Sequence, residues 1–168
     1  MRLFILSIFT ILLSSCATKH EVRNFNLHVF NDDTSFIERN LKCTNTYLTD
    51  EYDYVSNEIF RCSNNSGSVF LEVESDGNNS NDLKTVTLFW KDWHNDLNPE
   101  HTEVTARQYA AVLAKMYTRD KQIEFMDAFF NDIPTVFDNV VYKVKLYKEE
   151  KQFYTLRKAQ VTFKRAKS

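Results

Sequence analysis

The chain has 168 residues, of which 14% are aromatic, and its formal net charge is −2. This aromatic content predicts a packed interior and excludes a disordered chain. The two glycines of the sequence, Gly67 and Gly77, both fall in predicted hairpin turns. That placement excludes the glycine-rich phosphate loops of P-loop and dinucleotide-binding proteins. We expect a globular domain with no cofactor, no bound metal and no nucleic-acid partner.

The start of the chain predicts a secretory signal over residues 1–15. Arg2 supplies a positive charge, an apolar run occupies residues 3–13, and two small residues precede Cys16. Such a charged start, short apolar run and small-residue exit are typical of an export signal. The run is too short to cross a bilayer, which needs about 20 apolar residues.

The end of this signal, Leu13-Ser14-Ser15-Cys16, is similar to the lipobox of bacterial lipoproteins. The resemblance covers residues 1–16 and implies cleavage before Cys16, a diacylglyceryl group on its thiol and acylation of the new amino group. Several acyl chains give stable membrane anchoring. Ala17 stands where lipoproteins of the inner membrane tend to carry Asp, so the resemblance implies the outer membrane, with the domain on the periplasmic face. The alternative is an ordinary secretory signal with an incidental cysteine.

The lipobox resemblance also bears on the other two cysteines. An odd number of three is unusual in an exported protein. If Cys16 carries lipid, then Cys43 and Cys62 remain, and an oxidising periplasm favours a disulfide between them. The alternative is a pair of inert buried thiols.

The remainder of the chain divides into a tether over residues 16–24 and a single domain over residues 25–168. Alternation of apolar residues predicts a first strand over residues 25–30. A capping-box pattern then predicts a short helix over about residues 34–42. Residues 44–56 are polar and rich in tyrosine, which favours an irregular loop.

Three strands, two helices and two more strands are predicted after that loop. The strands cover about residues 58–62, 69–74 and 84–91, and the last of them directs Val86, Leu88 and Trp90 inward. A longer helix begins at Pro99 and a shorter one near residue 120, and strands over residues 140–147 and 153–164 follow. The order β-α-β-β-β-α-α-β-β predicts an α+β domain. Its antiparallel sheet would have about five to six strands, with two or three helices on one face.

The segment around Trp93 is the first candidate site. An aromatic side chain at the end of a strand could stack on a sugar or anchor a partner protein, and packing at the rim of the core is the alternative. If the segment is extended, Asp92, His94 and Asp96 share one side and could act as acid/base groups. A solvated strand end explains the same residues.

A second candidate site is the loop that carries Tyr47, Tyr52 and Tyr54 among acidic residues. Tyrosines on an acidic loop suit recognition of a basic protein surface, although an ordered loop without a partner is the alternative. Charge is uneven along the chain, because residues 139–168 contain nine Lys or Arg and two Glu. That segment could bind an anionic partner, or it could be a solvated hairpin whose lysines protect an edge strand.

These features together predict a non-enzymatic envelope lipoprotein of the outer membrane that binds a protein or the peptidoglycan cell wall. The alternative is an inhibitor or immunity lipoprotein that blocks a lytic enzyme or toxin. An enzyme with acid/base groups at Asp92 and His94 is the third hypothesis.

Overall fold

One seven-stranded antiparallel sheet forms the centre of the fold, with the strand order β1-β2-β3-β4-β7-β6-β5. The computed structural model describes residues 28–50, 57–64, 66–77, 79–95 and 99–164. The helices are α1 (Phe30–Asn40), α2 (Pro99–Tyr117) and α3 (Gln122–Phe130), with a 3₁₀ turn at Arg119–Lys121. The strands are β1 (Thr44–Asp50), β2 (Asn57–Ser63), β3 (Val69–Asp76), β4 (Asn79–Trp93), β5 (Val136–Asp138), β6 (Tyr142–Glu150) and β7 (Tyr154–Phe163).

Strand β4 joins the two halves of the sheet. It has 15 residues and pairs with β3 on one side and with β7 on the other. The register places Val86 opposite Val73 in β3 and opposite Val161 in β7, which in turn faces Val144 in β6. All four valines are fully buried, so one row of branched side chains continues across the sheet under the helices.

The three helices cover one face of this sheet. Along β3 buried and partly exposed residues alternate, with Val69, Leu71 and Val73 on the buried side, as the sequence predicted. Helix α2 lies on β3 and β4 and buries Ala106 and Ala110, whose small side chains permit close approach. The inward direction of Val86, Leu88 and Trp90 is confirmed as well.

The α+β class, the antiparallel sheet and the three helices are confirmed. Two strands were not predicted. Residues 44–50 form β1, where an irregular loop was expected, because this mostly polar segment becomes an edge strand by pairing with β2. The three-residue strand β5 pairs with β6 and is too short to produce a periodic pattern.

The predicted first strand over residues 25–30 is wrong at its described end. Phe30 is the first residue of α1, and Val29 makes only an isolated bridge to Asp82. Asp32 and Asp33 lie in the first turn of that helix, where negative charge is favoured by the helix dipole. Residues 25–27 lie outside the described residues, as do the signal, Cys16 and the tether.

A disulfide connects the end of α1 to the sheet. Cys43, three residues beyond α1, is bonded to Cys62 in β2, and their Cα atoms are 5.5 Å apart. The prediction of this disulfide is confirmed. Among the helices of the described ranges, none is both long and apolar enough to cross a membrane.

The opposite face of the sheet, which we call the open face, carries aromatic and cationic side chains. The rings of Phe70 and Phe89 stack with centroids 4.6 Å apart. Arg61 and Lys91 lie 5.3 and 5.6 Å from the Phe70 ring, and Lys158 lies 5.7 Å from the Phe89 ring. These cation–π contacts order the long cations over the rings on the face that the helices leave uncovered.

Most basic residues of the last hairpin are paired with carboxylates. The nitrogen–oxygen distances are 3.1 Å or less for five of them: Lys148, Lys151, Arg157, Lys158 and Lys164. This pairing favours the interpretation of the basic C-terminal segment as a solvated hairpin over an anion-binding surface.

Candidate functional site

A wide cleft opens between α2 and the ends of several sheet strands. Its volume is about 1330 Å³. The wall is formed by the end of α1, the β2–β3 turn, the end of β4, α2 and the β6–β7 turn. The lining residues are Asn40, Leu41, Lys42, Asn64, Ser66, Ser68, Trp93, Asn95, His101, Thr102, Thr105, Gln108, Tyr109, Ala111, Val112 and Phe153. Among these described lining residues none is acidic, and amides and hydroxyls predominate.

Trp93 is an aromatic side chain of the cleft that two neighbours hold in place. Its indole Nε1–H donates to Oγ of Ser68 at 3.2 Å, and its ring lies 4.9 Å from the ring of Tyr154. The side chain nevertheless remains 40% exposed. The indole is therefore held at its polar edge and on one side while part of its surface faces the solvent, which is the arrangement of an aromatic binding platform.

Phe153 adds a second aromatic surface from the turn between β6 and β7. Its side chain is 60% exposed, and its carbonyl accepts a hydrogen bond from the backbone N–H of His94 at 3.1 Å. The turn is closed by the N–H of Lys151, which donates to the carbonyl of Tyr154 at 2.9 Å. These bonds attach the turn to the end of β4, so both aromatic residues are positioned by the same corner of the sheet.

The polar wall at the β2–β3 turn is ordered by its own side chains. Asn64 Nδ2 donates to Oγ of Ser66 at 2.8 Å, and Asn64 Oδ1 accepts from the N–H of Val69 at 3.1 Å. The N–H of Ser68 donates to Oγ of Ser66 at 3.3 Å. Asparagine and serine stabilise turns in this way because their short side chains replace backbone partners.

Tyr109 of α2 lines the cleft beside the disulfide. Its hydroxyl lies 3.9 Å from Sγ of Cys62, and burial raises the pKa of Tyr109 to about 12. The phenol therefore stays protonated at neutral pH and can act only as a neutral hydrogen-bonding group. Thr105, one turn before Tyr109, directs its hydroxyl to the carbonyl of His101 at 3.0 Å.

The structure places the candidate residues predicted from the sequence in different environments. Trp93 lines the cleft, and the Cys43–Cys62 disulfide lies beside Tyr109 of the same lining. Tyr47 belongs to β1, opposite Phe60 of β2. Tyr52 and Tyr54 lie outside the described residues, so the binding role of the tyrosine loop stays a prediction.

The acid/base hypothesis meets a different arrangement at Asp92. Arg157, whose side chain is 13% exposed, donates from Nη1 to Asp92 at 2.6 Å and from Nε to Asp132 at 2.7 Å. Burial would raise the pKa of Asp132, but hydrogen bonds from Arg157 and Lys148 outweigh that effect and hold this pKa below its usual value. Asp92 thus belongs to a structural network of ion pairs together with Arg157 and Asp132.

His94 lies at the other end of this network, 4.0 Å from Glu150, which is paired with Lys148. Its Nε2 atom lies 3.3 Å from Oγ1 of Thr155, whose hydroxyl donates to Glu150 at 2.8 Å. Asp96 lies outside the described residues. Within the described ranges, no group of three His, Cys, Asp or Glu side chains is placed to hold a metal ion.

A buried polar cluster on α1 was not predicted. Asp33 is 2% exposed, accepts a hydrogen bond from the hydroxyl of Tyr117, and lies 3.2 Å from Nδ1 of His28. Burial, followed by the charge of Asp33, raises the pKa of Tyr117 well above its usual value, so the phenol remains a donor. Tyr117 and Asp33 are 84 residues apart, and no local pattern could have associated them.

Fold and cleft together give an α+β domain with a large cleft, whose described lining has aromatic side chains at one corner, one lysine and no acidic residue. Comparisons with known proteins add no relative to this description. No family model matches the chain, and neither the curated proteins nor the solved structures gave a match.

Proposed function

We propose that the protein is an envelope lipoprotein anchored through Cys16, whose domain binds a cell-wall or protein ligand without catalysing a reaction. The observation that carries the binding role is the cleft beside α2. Ligand sites in proteins are usually concave and combine aromatic surface with a few convergent polar groups. Trp93 and Phe153 supply the aromatic surface, and the amides and hydroxyls of the lining supply the polar groups.

The chemistry of the cleft favours binding over catalysis. The pKa of about 12 keeps Tyr109 protonated, and the carboxylate of Asp92 is paired with Arg157. General acid/base catalysis needs a group whose pKa lies near the working pH and whose proton can be exchanged with a substrate. Tyr109 does not meet that requirement, and Asp92 is not among the residues that line the cleft. The ordered neutral side chains of the lining are suited to recognition.

The concave shape of the site also favours a binding component over the alternative role of an inhibitor or immunity lipoprotein. An inhibitor of a lytic enzyme usually blocks the enzyme with a protruding segment. Tyr52 and Tyr54 of the loop proposed for that purpose lie outside the described residues, whereas the cleft is formed by described ones. A cleft accepts a ligand, and so it supports the first role.

The anchor is tested by metabolic labelling with a radioactive fatty acid. We expect the wild-type chain to incorporate label and a Cys16→Ala variant to lose it, because the thiol and the new amino group of Cys16 are the proposed acylation sites. A Cys43→Ala variant is the matched control and should keep the label. Undiminished label in Cys16→Ala would contradict the anchor.

The binding role is tested by photo-crosslinking in intact envelopes from Gln108, an exposed residue of the cleft lining. A crosslink from this position to an envelope component is the expected result.

A further inference from the structure

We infer that the cleft binds a neutral saccharide chain, of the N-acetylated hexosamine type that builds cell-wall polymers. This inference rests on the proposed binding function of the cleft and specifies its ligand. The first support is aromatic. Trp93 is fixed by Ser68 and Tyr154 yet remains 40% exposed, so one part of its surface is available at a defined position. The axial C–H groups of a pyranose ring form an apolar face that stacks on such a surface with little loss of side-chain entropy.

The second support is the kind of polar group that surrounds this platform. Exposed amide side chains of Asn40, Asn95 and Gln108 line the cleft, together with several hydroxyls. Amides donate and accept hydrogen bonds at the same time, which matches sugar hydroxyls and acetamido groups. These groups carry no charge, so binding a neutral chain imposes no uncompensated burial of charge.

The third support is the charge of the cleft lining, which favours a saccharide over a charged polymer. Lys42 is the one Lys or Arg among the described lining residues, and none of those residues is acidic. Nucleic acids and other polyphosphates bind through several cations that neutralise successive phosphates. The described lining residues of the cleft include no such series of cations. A protein partner usually meets a surface with an apolar centre, whereas this cleft has its aromatic residues at one corner and polar groups elsewhere.

The size of the cleft fits more than one sugar ring. Its volume of about 1330 Å³ exceeds the roughly 300–1,000 Å³ of pockets for drug-sized ligands. Phe153, 60% exposed on the neighbouring turn, lies at the same corner as Trp93 and could contact a second ring. The ligand we propose is therefore an oligosaccharide that enters along α2 and stacks at the Trp93 corner.

Isothermal titration of the purified full chain in detergent with the N-acetylglucosamine tetramer tests this inference. We expect measurable binding to the wild-type chain and about tenfold weaker binding to a Trp93→Ala variant, because aromatic anchors dominate such sites. Tyr147→Ala is the matched control. Tyr147 is also 40% exposed, but it lies on the open face of the sheet, and its loss should leave affinity unchanged.

Two further comparisons make the test decisive. A Trp93→Phe variant keeps an aromatic platform and should bind more tightly than Trp93→Ala, and circular dichroism confirms that each variant is folded. Absence of binding to the wild-type chain, or equal affinity of wild type and Trp93→Ala, would overturn the saccharide inference. A protein captured by the crosslinker at Gln108, together with no tetramer binding, would overturn the saccharide inference and leave the proposed binding function intact.

Discussion

Replacing Asp33 with alanine is expected to lower the free energy of unfolding by about 3 kcal/mol, because it leaves buried polar groups without their partner. The carboxylate is 2% exposed and accepts the hydroxyl proton of the fully buried Tyr117. It also lies 3.2 Å from Nδ1 of His28. Removal of the carboxylate would leave the phenol in an apolar surrounding, with a small cavity beside it. Urea denaturation followed by circular dichroism measures the difference.

Asp32 provides the matched control for this substitution. It lies in the same first turn of α1 but is exposed. Asp32→Ala should therefore cost only about 0.5 kcal/mol, through the lost interaction with the helix dipole. An Asp33→Asn variant keeps the volume and an acceptor oxygen and should be intermediate. If Asp32→Ala and Asp33→Ala were equally stable, the buried cluster would contribute nothing beyond the interaction with the helix dipole.

Removing the disulfide is the second change with a large expected effect. Cys43 and Cys62 are 19 residues apart in sequence, and the bond between them restricts the unfolded chain. A loop of that length corresponds to about 3 kcal/mol in the chain-entropy description. For a domain of this size, we expect the double variant Cys43→Ala with Cys62→Ala to melt about 10 °C below the wild type.

Reduction provides the control for the double variant. A thiol reductant should lower the melting temperature of the wild-type protein and leave that of the double variant unchanged. Alkylation under denaturing, non-reducing conditions should find no free thiol at either position in protein taken directly from cells. Free thiols there, or equal melting temperatures for wild type and double variant, would contradict a stabilising disulfide.

The parts of the fold that the sequence predicted are those with a local signal. Val69, Leu71 and Val73 occupy every second position of their segment, and this alternation can be recognised from neighbouring residues alone. Strand β1 was missed for the opposite reason. Its residues are mostly polar and acquire their extended conformation by pairing with β2, in the register Thr44 to Ser63 through Asp50 to Asn57. An edge strand of this composition is defined by its partner and not by its own pattern.

The candidate site was predictable at one residue. Trp93 could be singled out because it lies among polar residues at the end of a strand, where a core tryptophan is not expected. The amides that accompany it come from α1, from the segment after β4 and from α2, and they converge only after the sheet has formed. The same holds for Asp33 and Tyr117. Because these residues come from distant segments, no spacing in the sequence predicts that they meet.

The acid/base hypothesis rests on a linear pattern, whereas the surroundings of a carboxylate also depend on partners that are distant in sequence. Asp92 and His94 alternate in sequence, which suggested a shared side. The strand pairing instead brings Arg157 next to Asp92, with 2.6 Å between the ionised groups. His94 lies beyond the end of β4 and contacts Thr155. Arg157, which lies on the adjacent strand and is 65 residues away in sequence, determines the electrostatic surroundings of Asp92.

The central claim is that the cleft beside α2 is the ligand site, and photo-crosslinking in intact envelopes tests it most directly. A photoreactive amino acid replaces Gln108 in the cleft in one variant and Tyr147 on the open face in the other, and crosslinked products are identified as glycan or protein. We predict a discrete envelope adduct from Gln108 and none of comparable yield from Tyr147. An adduct from Tyr147 alone, or none from Gln108, would contradict the claim.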